Sequence, residues 1–205
     1  DPEKDMLFVD FVPIWLETKK KQVREVSYLN YEYRVTHTIL PYFEKTKLLL
    51  GDIKVYHIDN FLEHLATEKG AKKNSVLQYK GTLNNIFKEG IRQGLIENNP
   101  CQNAIMPKFK DVTDSDEKKK FLTIEEVRKI LSVCKGKIIH DMIVFTFSYG
   151  LRREELMGLR WQDIDFDKNI IYIRNTVTMT GGTKIEAETT KTMSSKRTYP
   201  ILPQI

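Results

Sequence analysis

Residues 149–165 read Tyr-Gly-Leu-Arg-Arg-Glu-Glu-Leu-Met-Gly-Leu-Arg-Trp-Gln-Asp-Ile-Asp, and this run decides more about the fold than any other. The apolar stretch Ile138 to Tyr149 before it reads as a buried helix, broken at Gly150-Leu151. Glu154 to Leu159 reads as another short helix, so Arg152 stands at a helix start, where free amides and the dipole favour an anion. A planar guanidinium there offers paired donors that are never deprotonated, which suits the non-bridging oxygens of a phosphate as charge builds on them. The competing reading is a charged helix face, with Arg152, Arg153, Glu154 and Glu155 making i to i+3 pairs.

Beyond Trp161 the hydrophobic period changes. Ile170 to Ile173 and Thr176 to Thr180 are β-rich, Gly181-Gly182 is a turn, and Arg197 to Leu202 alternates, which predicts a small antiparallel sheet after the helices. Between them lies Thr190-Lys191-Thr192-Met193-Ser194-Ser195-Lys196-Arg197-Thr198-Tyr199-Pro200-Ile201, a basic hairpin segment. On the other side, Phe121 to Leu131 opens a helix with a capping box of Thr123 and Glu126 ahead of Val127, Ile130 and Leu131. Residues 107–120 are nearly devoid of aliphatic side chains and mixed in charge, the composition of a solvated linker. The expected organisation is a helical domain over 1–106, a linker over 107–120 and a second domain over 121–205.

Four helices are predicted in the first domain. One covers 6–18, with Leu7, Phe8, Phe11, Ile14 and Trp15 at helical spacing. A second runs from Ser27, its expected N-cap, to Phe43, with Leu29, Tyr33, Thr36 and Leu40 as its stripe. A third spans Ile58 to Glu68, introduced by Asp59 and closed by Gly70. The fourth runs from Asn74 to Gly94 on a stripe of Val76, Leu77, Leu83, Ile86, Phe87 and Ile91. Asn30, Arg34 and His37 share a face of the second, while Lys72, Lys73, Asn74, Ser75, Gln78, Tyr79 and Lys80 place donors on the start and one face of the fourth. Such faces suit a groove or a phosphate; the plainer reading of each is a solvated polar face.

The composition is that of an ordinary globular protein, 40% hydrophobic and 30% charged, and no window approaches the roughly 20 apolar residues of a membrane span. Charged residues interrupt the apolar ones from Asp1 to Asp10, so residues 1–20 do not read as a signal peptide, and the expected location is the cytoplasm. Cys101 and Cys134 read as reduced thiols, and His37, His57, His64 and His140 lack ligand spacing, so neither a metal nor another cofactor is expected. A net charge of +5 suits a polyanionic partner without identifying one. Both ends read as trimmed, the chain opening on Asp1-Pro2 and closing inside an apolar run.

The 149–165 run resembles the first conserved box of the tyrosine recombinases, the family of phage integrases, Xer proteins and conjugative-transposon integrases. Its style is closest to those of Gram-positive phages and conjugative transposons. The resemblance implies that Arg152 is the first catalytic arginine and that Glu155, one helical turn on, braces the site. The 190–201 segment resembles the family's β-hairpin, which implies that Lys191 is the catalytic lysine, general acid on the departing 5′ oxygen. Lys184 and Lys196 compete for that role. Lys196, Arg197 and Arg153 are expected on DNA. Tyr199 departs from the family's aliphatic residue and reads as packing rather than as the nucleophile.

Residues 6–104, ending at Asn99-Pro100, resemble the four-helix core-binding domain. The implied fold is mainly α with a small antiparallel β-sheet: a helical, SAM-like core-binding domain followed by a truncated mixed α+β catalytic domain, together clamping a duplex. The implied activity is site-specific recombination through a 3′-phosphotyrosyl intermediate, on double-stranded DNA, by a homo-tetramer on paired sites. The nucleophilic tyrosine and a His-x-x-Arg box are expected beyond residue 205, so this chain alone is not expected to cleave. The alternatives are a non-catalytic, sequence-specific DNA-binding protein occupying recombination sites, and a helical protein–protein module with a chance match.

Overall fold

The computed structural model of the chain describes residues 5–109, 121–180, 183–187 and 196–203, and its contacts divide it into two units, Asp1–Asp116 and Glu117–Ile205. Most of the 107–120 stretch therefore lies outside the described residues.

In the first unit, α1 (Phe8–Gln22) is pinned at its start, where Phe8 N donates to Leu48 O at 3.0 Å and Leu50 N to Met6 O at 2.9 Å. A continuous helical stretch follows: α2 (Glu25–Arg34), a π-helical turn (Val35–Ile39) and α3 (Leu40–Phe43). Helices α4 (Val55–Thr67) and α5 (Lys73–Arg92) complete the unit, joined through Gly70 at φ 61°, the left-handed conformation that favours glycine. Aromatic rings hold the centre. Phe8 lies 4.8 Å from Phe43 and 5.5 Å from Phe87, and Phe61 stands 5.5 Å from Phe43.

Four boundary or face assignments change. Ser27 is not the N-cap of the second helix; Arg24 is, because Glu25 already has helical geometry. The fully buried stripe of this region is Tyr28, Val35, Ile39 and Phe43; of the expected stripe, Leu29 and Leu40 pack partly buried against the core, while Tyr33 and Thr36 are exposed. Both stripes carry apolar residues, and the π turn, at more residues per turn, keeps Val35, Ile39 and Phe43 in line at a spacing of four. Asp59 does not introduce α4. It lies inside the helix, where its carboxylate accepts the Ile105 amide at 2.7 Å, while Lys54 is the N-cap. Leu77 and Ile91, expected on the buried stripe of the fourth helix, are exposed, as is Ile14 in the first.

The second unit begins with α6 (Ile124–Cys134), capped by Thr123, whose hydroxyl accepts Glu126 N while the Glu126 carboxylate accepts Thr123 N. Helix α7 (Ile138–Tyr149) follows and ends on Gly150 at φ 59°. It is not the buried helix expected. Only Tyr149 is buried, and Ile138, Ile139 and Phe147 are exposed, because α6 and α8 (Arg153–Gly158) are its main packing partners and an apolar helix needs cover all round.

A 3₁₀ turn (Trp161–Asp163) leads to two small antiparallel sheets where one was expected. In the first, β2 (Ile170–Ile173) is the centre, antiparallel to β1 (Ile164–Asp165) and to β5 (Arg197–Pro200). In the second, β3 (Thr176–Thr180) pairs with β4 (Thr183–Ala187), with Thr178 opposite Ile185. Strand β4 has no counterpart among the strands expected from the sequence, and the Gly181-Gly182 turn lies outside the described residues. Tyr149, Leu151, Ile171 and Ile173 form the small core between α7 and β2. Among the described residues, no helix is long and apolar enough to cross a membrane.

Candidate functional site

The left-handed Gly150 turns the chain out of α7, Leu151 plugs into the core at 5% exposure, and Arg152 becomes the N-cap of α8. Glu155, one turn later, folds its carboxylate back onto Arg152 and accepts the Arg152 backbone N–H at 2.8 Å, half of a capping box. The same carboxylate takes Arg152 Nη1 at 2.9 Å, so the two residues do make the local pair that a charged helix face would make. They differ in exposure. The Glu155 side chain is 2% exposed and that of Arg152 is 69% exposed, so the anion is sealed beneath and the cation faces solvent.

A third member arrives from β5. Arg197 donates Nη1 to Glu155 Oε1 at 2.9 Å and Nη2 to Oε2 at 2.8 Å, a two-pronged pairing, and its Nε donates to the Tyr199 hydroxyl at 2.7 Å. Burial by itself would raise the Glu155 pKa. The hydrogen bonds from Arg197 and then from Arg152 outweigh it and hold the carboxyl at about 2. Arg197 is shifted upward, first by its hydrogen bond to Glu155. The site is therefore one ionised carboxylate between two guanidiniums, of which only Arg152 is largely exposed. Helix α8 has just six residues, so the cation, more than a helix end, gives this place its pull on an anion.

Of the other residues expected here, Arg153 is exposed and pairs with Glu154 at 3.0 Å, outside the Glu155 cluster. Lys196 is exposed, and Lys191 lies outside the described residues. Lys184 is held by Glu186, which also accepts Arg160 Nη2 at 3.0 Å. Tyr199 packs its ring 5.3 Å from Tyr149, and the Tyr149 hydroxyl accepts Leu202 N at 3.0 Å.

Sequence reasoning did not find the role of Asp163. Its 1% exposed carboxylate accepts Arg160 N at 3.2 Å, Arg174 Nε at 2.6 Å and Asn175 Nδ2 at 2.9 Å, locking the exit of α8 to the start of β3. Its place in the Trp161-Gln162-Asp163 run was the available signal; Arg174 and Asn175 carried none.

In the first unit, the two polar faces read separately in the sequence meet. A groove of about 470 Å³ is lined by Asn30, Tyr33, Arg34, His37 and Thr38 on one side and Ser75, Gln78 and Tyr79 on the other. Arg34 joins the walls, giving Nε to Thr82 Oγ1 at 2.9 Å and Nη1 to Gln78 Oε1 at 3.1 Å, and burial lowers its pKa. Tyr79 does the same through a 3.0 Å hydrogen bond with Thr38. The π turn carries His37 and Thr38 into the groove, and the His37 ring stacks on Tyr33 at 4.5 Å. Asn30 returns its amide to Val26 O, and Lys72, Lys73 and Asn74 stand exposed at the start of α5. Lys80 leaves this face: its ammonium donates to Ala104 O.

Residues 7–66 match the family described as phage integrase, N-terminal SAM-like domain, and residues 120–203 match the phage integrase family. A XerC-like tyrosine recombinase of Caldanaerobacter subterraneus subsp. tengcongensis is 24% identical, over 97% of this chain and 53% of the relative. The ICEBs1 integrase of Bacillus subtilis is 28% identical, over 79% of this chain and 42% of the relative. The chain thus spans about half the length of the curated relatives it matches. Among solved structures, a Tn1549 transposon integrase in complex with a circular intermediate DNA superposes with a TM-score of 0.74 at 22% identity, over 97% of this chain and 62% of that one. A lambda integrase dimer bound to a core site gives 0.66 at 19% identity, over 89% and 62%. At such identities the likeness is one of fold, mainly helical with a small antiparallel sheet. With the ordered Arg152 and Glu155 box and both family matches in place, the chain belongs to the phage integrase family of tyrosine recombinases.

Proposed function

We propose that this chain is the DNA-recognising and phosphate-activating part of a recombinase that cuts and rejoins double-stranded DNA at specific sites. The observation that carries the reading is the Arg152 side chain, 69% exposed above a carboxylate that is 2% exposed. A buried anion that orients an exposed guanidinium prepares a cation for charge that builds on a phosphate, at no reorganisation cost when the reaction occurs.

In this reading a tyrosine hydroxyl attacks the scissile phosphate, forming a 3′-phosphotyrosyl link and releasing a 5′ hydroxyl. Arg152 holds the non-bridging oxygens, and Lys191 protonates the departing 5′ oxygen. Return attack by a 5′ hydroxyl rejoins the strand and regenerates the tyrosine. Tyr149 and Tyr199 are engaged in the core around β2 and β5, so the attacking tyrosine is assigned to neither. Duplex DNA occupies the α2 and α5 groove, with Asn30, Arg34, Ser75, Gln78 and Tyr79 on its walls and Lys72, Lys73 and Asn74 beside it. Arg153 and Lys196 contact backbone phosphates, and the active assembly is a homo-tetramer on paired sites.

The full-length protein carrying this chain, given a nicked suicide duplex with its element's own junction, is expected to form a covalent protein–DNA adduct. Arg152→Ala is expected to reduce adduct yield by about 100-fold or more. Undiminished yield refutes the role of Arg152. Duplex binding that falls steeply with salt but never leads to an adduct favours a DNA-binding protein that occupies recombination sites without cutting.

A further inference from the structure

Glu155 offers one edge that matches a guanidinium fork, and Arg197 occupies it, one terminal nitrogen on each carboxylate oxygen at 2.9 and 2.8 Å. Arg152 is left with a single prong, Nη1 on Oε1 at 2.9 Å, and among the described residues its Nη2 and Nε have no hydrogen-bond partner. The fork of Arg197 is itself fixed. Its Nε bonds to the Tyr199 hydroxyl, its guanidinium carbon lies 5.5 Å from the Tyr199 ring centre, and Arg197 stands opposite Ile173 in the β2–β5 ladder.

We propose that Arg197 is a positioning residue for Arg152: by filling the fork-matching edge of Glu155 it denies Arg152 a two-pronged pairing and keeps that guanidinium raised for phosphate. Two guanidiniums against one carboxylate leave the cluster one net positive charge, carried on the exposed member. Without Arg197, Glu155 is a buried anion facing Arg152 alone, and the strongest geometry open to the pair is the bidentate one that draws Arg152 inward. This assigns Arg197 a task other than the DNA contact expected from its place in a basic hairpin. It also ties the strand that follows the Lys191 segment to the arginine box. The inference rests on the recombinase reading, in which Arg152 meets a phosphate.

The test is Arg197→Met in the full-length protein, with DNA affinity and single-turnover adduct formation at saturating DNA measured separately. Affinity is expected to stay within about twofold while the adduct rate falls on the order of 100-fold, the cost of a misplaced catalytic group. Adding Glu155→Gln removes the captor charge and is expected to recover roughly tenfold of that rate, a coupling that a merely structural arginine would not show. If the Met variant does not fold, Arg197→Lys, which keeps the charge and gives up the fork, is expected to show the same split of affinity and rate. Parallel loss of affinity and rate overturns the proposal in favour of a phosphate contact, and an unchanged rate overturns it outright. If the wild-type protein forms no adduct, the recombinase reading falls. The proposal is then decided on the 205-residue chain by NMR of the Arg152 guanidinium. Its protons are expected to exchange more slowly in the folded Arg197 variant, and unchanged exchange overturns the assignment.

Discussion

Gly158 on α8 lies directly against the backbone of Asn175: a Cβ at Gly158 would stand 2.7 Å from the Asn175 carbonyl oxygen and 2.8 Å from the Thr176 Cα. Neither atom belongs to a flexible side chain that can swing aside, and Asn175 is further held by its 2.9 Å hydrogen bond to Asp163. Gly158→Ala must therefore push α8 away from β3. We expect a loss of about 3 kcal/mol in the second unit, read from urea unfolding of the chain, with the first unit unaffected. An alanine variant as stable as the parent would show that the contact relaxes freely.

Acid should unfold the second unit partly through Glu155. Its carboxyl titrates at about 2 in the folded chain, below its ordinary 4.5, so the linked stability is complete above the ordinary value and drains as pH falls towards 2. The quantity at stake is on the order of 3 kcal/mol. Glu155→Gln removes that dependence, so the stability gap between parent and variant should narrow steadily from pH 5 to pH 2. A gap that stays constant across that range contradicts the pairing.

Lys72 and Lys73 stand exposed beside the α2 and α5 groove, whereas the Lys80 ammonium is bound to Ala104 O. If DNA occupies the groove, Lys72→Ala and Lys73→Ala should each lower the slope of log affinity against log salt by about 1. Lys80→Ala should leave the slope alone. Fluorescence anisotropy on a duplex at several salt concentrations reads all three.

Arg34 is half-buried between α2 and α5, bonded to Thr82 and Gln78, with its guanidinium 5.2 Å from the Tyr31 ring. Arg34→Met should cost the first unit about 2 kcal/mol through the lost hydrogen bonds and the orphaned Thr82. It should weaken duplex binding with little change in salt slope, because the residue shapes the groove wall more than it meets phosphate. A slope reduced by a full unit would make Arg34 a phosphate ligand instead.

Much of the site was legible because its parts are close in the chain. Arg152 and Glu155 are three residues apart, and a helix start sets their meeting by capping geometry alone. The Thr123 and Glu126 box is local in the same way, and the structure has it as read. Where a buried face was misread, a longer-range choice was involved. The second helix offered two apolar stripes, and only packing against α1 and α5, with a π turn to keep register, selected Tyr28, Val35, Ile39 and Phe43. Helix α7 reads as core from composition, but burial depends on what surrounds it, which no property of its own twelve residues reports.

By itself the sequence determined the family, the mainly helical fold with its small sheet, and the Arg152 and Glu155 pair. These follow from side-chain identity at short spacing, where backbone geometry leaves little choice. Only the tertiary structure decided that Arg197, forty-two residues from Glu155, turns inward onto that carboxylate. It also joined the faces carrying Asn30 and Arg34 to those carrying Ser75 and Gln78 in one groove. Each of those outcomes depends on a strand register or a helix packing that buries apolar side chains elsewhere. The polar partners meet because the core places them, and the core is a property of the whole chain.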